Sequence, residues 1–121
     1  MQKFKFDYDK KNDDLFLFSP KSKSKGSIEL GDIVLDFNKK KEFVGIQLIN
    51  ASKLIKELVN ENSAIVRDIL NNLSGCEVDV KTKGNLLIIK LYLFSKSKEV
   101  TPIISVPNIR ETSPALAYAY A

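Results

Sequence analysis

The chain has 121 residues, of which 44% are hydrophobic and 28% are charged, and its net charge is +4. This length and composition indicate one globular domain with its own hydrophobic core. The sequence has no histidine and one cysteine, Cys76, which excludes an intramolecular disulfide, a cysteine-based metal cage and Ser-His or Cys-His nucleophile pairs. We therefore predict no metal, no cofactor and no enzymatic activity, although a catalyst based on lysine or carboxylates stays open.

The first half of the chain is predicted to form two β-hairpins. Hydrophobic and polar residues alternate over 3–8, and turn-forming residues separate this strand from a second one at 14–19. Residues 20–27 are predicted to be a loop rich in lysine and serine. Strands at 33–37 and 43–49, joined by a lysine-rich turn, are predicted to form the second hairpin.

The middle of the chain is predicted to be helical. Ser52 is the predicted N-cap of a helix with an apolar face at Leu54, Ile55, Leu58 and Val59. A second apolar run follows a polar interruption, with Ser63 as its predicted cap, and Gly75 is predicted to end it in a left-handed conformation. Because the apolar positions stay in phase across the interruption, the sequence leaves open whether residues 52 to 73 form one kinked helix or two.

The alternation returns to a period of two from Cys76 onward, which predicts strands in the last third of the chain. Gly84-Asn85 is a hairpin turn before a strand at 86–94. A last strand at about 100–106 contains Pro102, which confines it to an edge or a bulge. The predicted class is α+β, with an antiparallel sheet built from two N-terminal hairpins and a C-terminal meander, and a central helical segment packed on one face.

We predict a single domain over residues 1–109 and a separate tail over 110–121. Ser113 and Pro114 are typical of a helix start, so the tail is predicted to be a short helix docked on a neighbouring surface. Within the domain, residues 1–56 form the half with a family likeness described below, and residues 57–109 supply the rest of the helical segment and the C-terminal strands.

Three predicted strands, at 14–19, 43–49 and 86–94, are apolar on both sides, whereas the helical segment can cover only one side of a sheet. The second side needs another cover, and we predict a homodimer or a protein partner. The candidate interface residues are aromatic or large aliphatic side chains on these strands and on the tail: Phe16, Phe18, Leu86, Ile88, Tyr92, Tyr118 and Tyr120.

Lysines in two loops are a candidate anion-binding group. They are Lys21, Lys23, Lys25, Lys39, Lys40 and Lys41. Such a group is able to follow a phosphate backbone, but the sequence has only two arginines and no recognisable nucleic-acid-binding motif. Lysine-rich loops more often protect sheet edges and improve solubility. Nucleic-acid binding is therefore an alternative and not the leading prediction.

Acidic residues form a further group of candidate sites. Asp7, Asp9, Asp13 and Asp14 crowd the first turn, but their spacing does not match a calcium-binding loop, so a solvated turn is predicted. Asp36 lies on the polar side of a strand among apolar neighbours and is a weak candidate for a general base, because it has no partner carboxylate. The preferred role is a strand-end cap or a turn-holding residue. Gly45, inside a strand, predicts a bulge or a close approach of two backbones.

The N-terminus has a strand pattern instead of a secretory signal, and no apolar run has the roughly 20 residues that a membrane-spanning helix needs. We therefore predict a cytoplasmic protein that does not interact with membranes.

Three segments carry a resemblance to a known family: Tyr8-Asp9 to Asp13-Asp14-Leu15-Phe16, Ile33 to Asp36, and Val44-Gly45-Ile46-Gln47-Leu48-Ile49-Asn50-Ala51-Ser52. Together they resemble the small prokaryotic family known as domain of unknown function 2283, over roughly residues 3–56. The resemblance implies a short protein with an antitoxin-like binding role and assigns no functional residues. The family often has glutamate where this chain has Gln47.

The leading hypothesis is a non-enzymatic protein–protein interaction module that forms a homodimer and has an antitoxin-like role. The alternatives are weak lysine-mediated nucleic-acid binding and a site for a small ligand.

Overall fold

A computed structural model describes residues 1–96 and 98–107 of the chain. In this part, nine strands form one antiparallel sheet and two helices lie between the fifth and sixth strands. In chain order the elements are β1 Gln2–Asp9, β2 Asp14–Phe18, β3 Gly26–Leu30, β4 Ile33–Phe37, β5 Phe43–Leu48, α1 Ala51–Val59, α2 Ser63–Asn71, β6 Gly75–Lys83, β7 Leu86–Phe94, β8 Glu99–Val100 and β9 Ile103–Pro107. The predicted α+β class, with two N-terminal hairpins and a C-terminal meander, is confirmed.

The order of the strands is β3-β4-β5-β2-β1-β6-β7-β8, and β9 also pairs with β7. β1 lies at the junction of the two halves of the sheet. Its C-terminal part pairs with β2, from Lys5 opposite Phe18 to Asp9 opposite Asp14. Its N-terminal part pairs on the other edge with β6, where Phe4 lies opposite Cys76. One strand therefore joins the N-terminal hairpins to the C-terminal meander.

One face of the sheet, which we call the inner face, packs against the two helices. Alternate residues of the strands are buried there, and the apolar sides of α1 and α2 complete the same core. The side chains in this core that are almost completely excluded from solvent include Leu15, Leu17, Leu35, Phe37, Ile46, Leu48, Ile55, Ile69, Ile89, Leu91 and Leu93. The intervening residues point to the opposite side, which we call the outer face.

The structure corrects the predicted loop at 20–27, because the last two of these residues belong to β3. This strand pairs with β4 alone, so it is an edge of the sheet. Only Ile28 of its five residues is buried, and Ser27 and Glu29 are exposed. An edge strand with a single buried side chain has too little hydrophobic alternation to be recognised in the sequence.

The helical segment consists of two helices, which resolves the alternative left open by the sequence. Asn60, in a left-handed conformation with φ 52°, ends α1 and donates its N–H to the Lys56 carbonyl. Asn62 precedes α2, and its side chain accepts a hydrogen bond from the Ala64 N–H at 2.7 Å. The predicted caps Ser52 and Ser63 are therefore wrong, because asparagines occupy both N-cap positions.

Two predictions about glycines have different outcomes. Gly75 does not end a helix: it is the first residue of β6, and Asn72 follows the last residue of α2. The close approach predicted at Gly45 is confirmed, since a Cβ atom there would lie 3.0 Å from Asp36 Oδ2 and 3.3 Å from the Leu17 carbonyl oxygen. The pairing of β4 with β5 also shifts register between Asp36 and Phe37.

The strand predicted at 100–106 is divided into β8 and β9 by Thr101 and Pro102. Both strands pair with β7, and the Pro102 carbonyl accepts a hydrogen bond from the Leu91 N–H at 3.0 Å. Proline thus lies between two ladders, as its missing N–H requires. The predicted tail at 110–121 lies outside the described residues. No helix of the described part is long and apolar enough to cross a membrane.

Asp13 connects the first hairpin to the start of α1, and this role was not predicted. Its carboxylate accepts hydrogen bonds from the Ser52 N–H at 3.1 Å and the Ser52 hydroxyl at 2.7 Å, and from the Tyr8 hydroxyl at 2.6 Å. Its carbonyl accepts the Ala51 N–H at 2.8 Å. The Asn50 side chain makes no capping bond, so Asp13 caps the helix from a distant part of the chain. The prediction of a solvated turn is wrong for this residue.

We expect Asp13→Ala to lower the free energy of unfolding by about 2–4 kcal/mol, because it removes a helix cap and leaves the buried Ser52 hydroxyl without its acceptor. Asp13→Asn keeps a residue that tolerates the left-handed conformation at φ 56° and one acceptor oxygen, so its loss should be about half as large. Urea unfolding measures both. The neighbouring Asp14→Asn is the control, with an expected change within about 0.5 kcal/mol; an equal loss in all three variants would contradict the capping role.

Cys76 is buried at the pairing of β1 with β6, where its thiol donates a hydrogen bond to the Phe4 carbonyl at 3.3 Å. Burial raises the pKa of the Cys76 thiol to about 11, because the thiolate is poorly solvated there. The neutral thiol is therefore the stable form in the folded protein. The pKa of the Cys76 thiol is higher in the folded protein than in the unfolded chain. Its contribution to the free energy of unfolding is therefore fully present below the unfolded pKa, and it is lost as the pH rises through the folded pKa.

We expect the thiol to react with Ellman's reagent at pH 8 at least about 100-fold more slowly in the native protein than in urea, because the thiolate fraction and the access are both reduced. The measurement compares the two rates at equal reagent concentration. Rapid stoichiometric labelling of the native protein would show that β1 and β6 separate readily at this point.

Candidate interaction surface

The outer face is built by the residues that alternate with the core. In β1 the side chains of Lys3, Lys5 and Asp7 are exposed, whereas Phe4 is buried on the inner face. The register with β2 places Phe18 beside Lys5 and Phe16 beside Asp7. Aromatic and charged side chains are therefore neighbours at the centre of the outer face.

The structure places the five predicted interface residues that it describes on this one face. Phe16 and Phe18 alternate with the buried Leu15 and Leu17 of β2. The other three alternate with buried residues of β7: Leu86, Ile88 and Tyr92. The exposed fractions are 38% for Phe16 and 44% for Leu86, which are large values for apolar side chains. Tyr118 and Tyr120 lie outside the described residues.

An aromatic groove crosses the outer face beside β1. The rings of Phe16 and Phe18 lie 5.0 Å apart between centroids, at an angle of 31°. Beyond β1, Phe94 lies opposite Gly75 and covers it, since a Cβ atom on Gly75 would be 2.6 Å from the Phe94 ring. Phe18 and Phe94 line a groove with a volume of about 450 Å³. The Phe94 ring can lie this close to β6 because Gly75 has no side chain.

Phe94 and Gly75 were not recognised as part of this surface from the sequence. The alternation in β7 places Phe94 on the same face as Tyr92 and Ile88, so the signal for the ring was present. The groove had no such signal. It depends on the pairing of β1 with β6 in the register that brings Gly75 beside Lys5, and residues about 70 positions apart in the chain make that pairing.

Charges of both signs surround the aromatic groove. Lys3 and Lys5 line it, and Asp7 follows on the same strand. Glu77 lies opposite Lys3 in the register of β1 with β6, and the Lys90 ammonium lies 5.4 Å from the centre of the Tyr92 ring. Lys81 and Asp79, further along β6, form an ion pair at 3.8 Å. The side chains of Lys3, Lys5 and Asp7 beside the groove are exposed.

The predicted anion-binding lysines come partly together at one end of the sheet. The Lys25 N–H donates to the Phe37 carbonyl at 2.8 Å, which holds the first loop against the second. The second loop is shaped by Asn38, whose side chain accepts the N–H groups of Lys40 and Glu42 at 2.9 and 3.0 Å. A depression of about 260 Å³ between the loops is lined by Ser22, Lys23, Lys25, Asn38, Lys39, Lys40 and Glu42.

The remaining two predicted lysines are not part of this depression. Lys21 lines a neighbouring one together with Met1, Gln2 and Lys3. Lys41 adopts a left-handed conformation with φ 71° at the end of the turn between β4 and β5. The structure therefore supports four of the six lysines as a single cluster, which we call the lysine cluster: Lys23, Lys25, Lys39 and Lys40.

Three of the five candidate acidic residues, Asp9, Asp13 and Asp36, have hydrogen-bond partners that give them structural roles. Asp36 accepts a hydrogen bond from the Ser27 hydroxyl and so links β4 to the edge strand β3. Asp9 accepts the N–H groups of Lys11 and Asn12 at 3.0 and 3.2 Å, and hydrogen bonds from Asn12 hold the pKa of Asp9 below its usual range. Asp9 is thus a turn residue, as predicted. Among the described residues, no group of acidic or cysteine side chains has the arrangement of a metal site.

The chain is similar to an uncharacterised protein of Methanocaldococcus jannaschii, with 38% identity over 100 residues that cover 81% of this chain and 80% of the relative. No solved structure matches the chain. Residues 5–52 match the family described as protein of unknown function DUF2283, and this segment includes both Asp13 and Ser52 of the helix cap. The match and the extent of the similarity to the relative show that the chain belongs to the DUF2283 family.

Proposed function

We propose that this protein is a non-enzymatic protein-binding module that forms a homodimer through its outer face. The observation that carries the proposal is that Phe16, Phe18, Leu86, Ile88 and Tyr92 share one face, which no helix of the described part covers. A sheet face with several partly exposed aromatic side chains is costly to leave in water. Association with a second protein surface removes this cost.

The composition of the outer face favours a protein partner. Aromatic side chains of β2 and β7 lie on either side of the charged side chains of β1 and β6. Aromatic side chains are enriched in protein interfaces. Because both signs of charge are present, the face is also compatible with a second copy of itself, as a two-fold symmetric dimer requires.

The antitoxin-like role implied by the family resemblance fits the same proposal. A module that neutralises another protein needs a surface that binds it and needs no catalytic group. In this proposal the outer face forms the homodimer interface. A different protein partner would either compete with the second copy for this face or bind a surface that the dimer leaves exposed.

We expect the wild-type protein to be a dimer at micromolar concentration, measured by light scattering and sedimentation velocity. Phe16→Glu should raise the dimer dissociation constant by at least about tenfold, because it removes an aromatic contact and places a second carboxylate beside Asp7 in the interface. Leu58→Glu is the matched control, since Leu58 on α1 is 39% exposed against 38% for Phe16 but lies on the helical side. A wild-type protein that remains monomeric at micromolar concentration would overturn the proposal.

The lysine cluster supports a second candidate function, weak binding of a nucleic acid or another polyanion. Two loops that are separate in the sequence place four lysines around one depression, and Glu42 is the acidic residue that lines it with them. The ammonium groups on flexible stems favour contact with phosphates over base recognition. This function would be sequence-independent and strongly dependent on salt.

We expect the double variant Lys23→Gln/Lys39→Gln to weaken binding of a short single-stranded oligonucleotide and to reduce the slope of log K against log salt by about 1.4, because two phosphate contacts are lost. Fluorescence anisotropy at several salt concentrations measures both quantities. The control is Lys56→Gln/Lys83→Gln, which removes the same charge from exposed positions outside the cluster. Equal effects of the two double variants would contradict a specific role for the cluster.

A further inference from the structure

The register of β1 with β2 places two unlike pairs of side chains next to each other at the centre of the outer face. Lys5 lies beside Phe18, and two residues further along β1, Asp7 lies beside Phe16. All four side chains point away from the core, because Phe6 and Leu17 between them point inward. The face therefore carries one basic-aromatic pair and one acidic-aromatic pair, about 7 Å apart along the strands.

These two pairs are complementary to themselves. A two-fold axis that lies in the plane of the interface, perpendicular to β1 and halfway between the pairs, exchanges the two positions along the strand. When two copies meet face to face around that axis, Lys5 of one copy lies over Asp7 of the other. The same operation brings Phe16 of one copy against Phe18 of the other.

The aromatic groove lies beside Phe18, next to the position of the Phe16 ring of the second copy. It begins at Phe18 and extends over Lys5 and Gly75 to Phe94, so an incoming ring next to Phe18 finds open space beside it. Its volume of about 450 Å³ is larger than one phenyl group needs, and it is lined by aromatic rings on both sides. In a symmetric dimer the groove of each copy faces the Phe16 ring of the other, so the same contact occurs twice.

The charges support the same register. Within one chain Lys5 and Asp7 are two residues apart on the same strand, and in the described part of the chain neither forms an ion pair. In the face-to-face dimer each lysine meets an aspartate next to an apolar surface, which excludes water and strengthens the attraction. A shift of the register along the strands by two residues would place Lys5 over Lys5 or Asp7 over Asp7 across the axis.

We propose that the homodimer forms around this axis, with Phe16 of each copy inserted beside Phe18 of the other and with two reciprocal pairs between Lys5 and Asp7. The occupant of the aromatic groove is thus a phenylalanine of a second copy of this chain. This inference rests on the proposed function, because it requires that the outer face is the dimer interface, and it adds which residues meet there.

The test uses charge reversal in the full-length chain. Lys5→Glu places two glutamates opposite two aspartates, and Asp7→Lys places two lysines opposite two lysines, so each single variant should raise the dimer dissociation constant by at least about tenfold. The double variant Lys5→Glu/Asp7→Lys restores both opposite-charge pairs and should dimerise within about threefold of the wild type. Sedimentation velocity measures all of these constants.

An equimolar mixture of the two single variants is the sharpest part of the test. In the mixed dimer, Glu at position 5 meets Lys at position 7, and Asp7 meets Lys5, so both pairs have opposite charges. We expect heterodimers in the mixture at concentrations at which each variant alone is monomeric. Both substituted positions are exposed, so thermal unfolding should show that the variants are folded. Lys56→Glu on α1 is the control and should leave dimerisation unchanged.

The outcomes separate the two proposals. If the wild-type protein dimerises but the mixture and the double variant fail to recover association, the proposed register is wrong and the homodimer stands. If the wild type is monomeric at micromolar concentration, the homodimer itself is wrong. Recovery in both the mixture and the double variant would establish that Lys5 and Asp7 face each other across the two-fold axis.

Discussion

The structure depends on the pairing of β1 with a different strand at each end. Its N-terminal residues hydrogen-bond to β6 on one edge, and its C-terminal residues hydrogen-bond to β2 on the other. Without this strand the N-terminal hairpins and the C-terminal meander would have no continuous ladder between them. The inner face could then not present one surface to both helices. The core and the outer face are thus consequences of the same pairing.

The division of β1 also explains where the aromatic groove lies. On the β6 edge of β1 the pairing ends at Phe4, because β6 begins at Gly75. On the β2 edge the pairing begins at Lys5, the next residue. A residue with a side chain at position 75 would collide with the Phe94 ring. Glycine therefore allows the Phe94 ring to pack close to β6 at residue 75, and the groove lies between Phe94 and Phe18.

The start of α1 is fixed by hydrogen bonds from Ser52 to Asp13, which are distant in the sequence but adjacent in the structure. The first turn of α1 has N–H groups without partners inside the helix, and the carboxylate of Asp13 accepts from one of them. The same carboxylate accepts the Tyr8 hydroxyl, and burial together with this bond raises the pKa of Tyr8. The turn of the first hairpin thus has a fixed position relative to the start of α1. The family match covers this whole connection.

The sequence by itself determined the features that depend on periodicity and on turn residues. Alternation of apolar and polar residues was sufficient to locate most strands and to assign Phe16, Phe18 and Tyr92 to strands with two apolar sides. It could not show that these three share one face, because that depends on which strands are neighbours. The edge strand β3 was missed because a strand with one partner needs only one buried residue, Ile28.

Only the tertiary structure decided the cap of α1, the groove and the lysine cluster. Ser52 has the composition of a cap but donates its hydroxyl to Asp13, and no local pattern reveals an acceptor 39 residues away. Lysines at 23–25 and 39–40 converge because β3 and β4 are paired, which brings the chain before one strand close to the chain after the other. Local structural preferences depend on short segments of the sequence. These sites are formed by long-range strand pairing, and the register of that pairing depends on how the whole core packs.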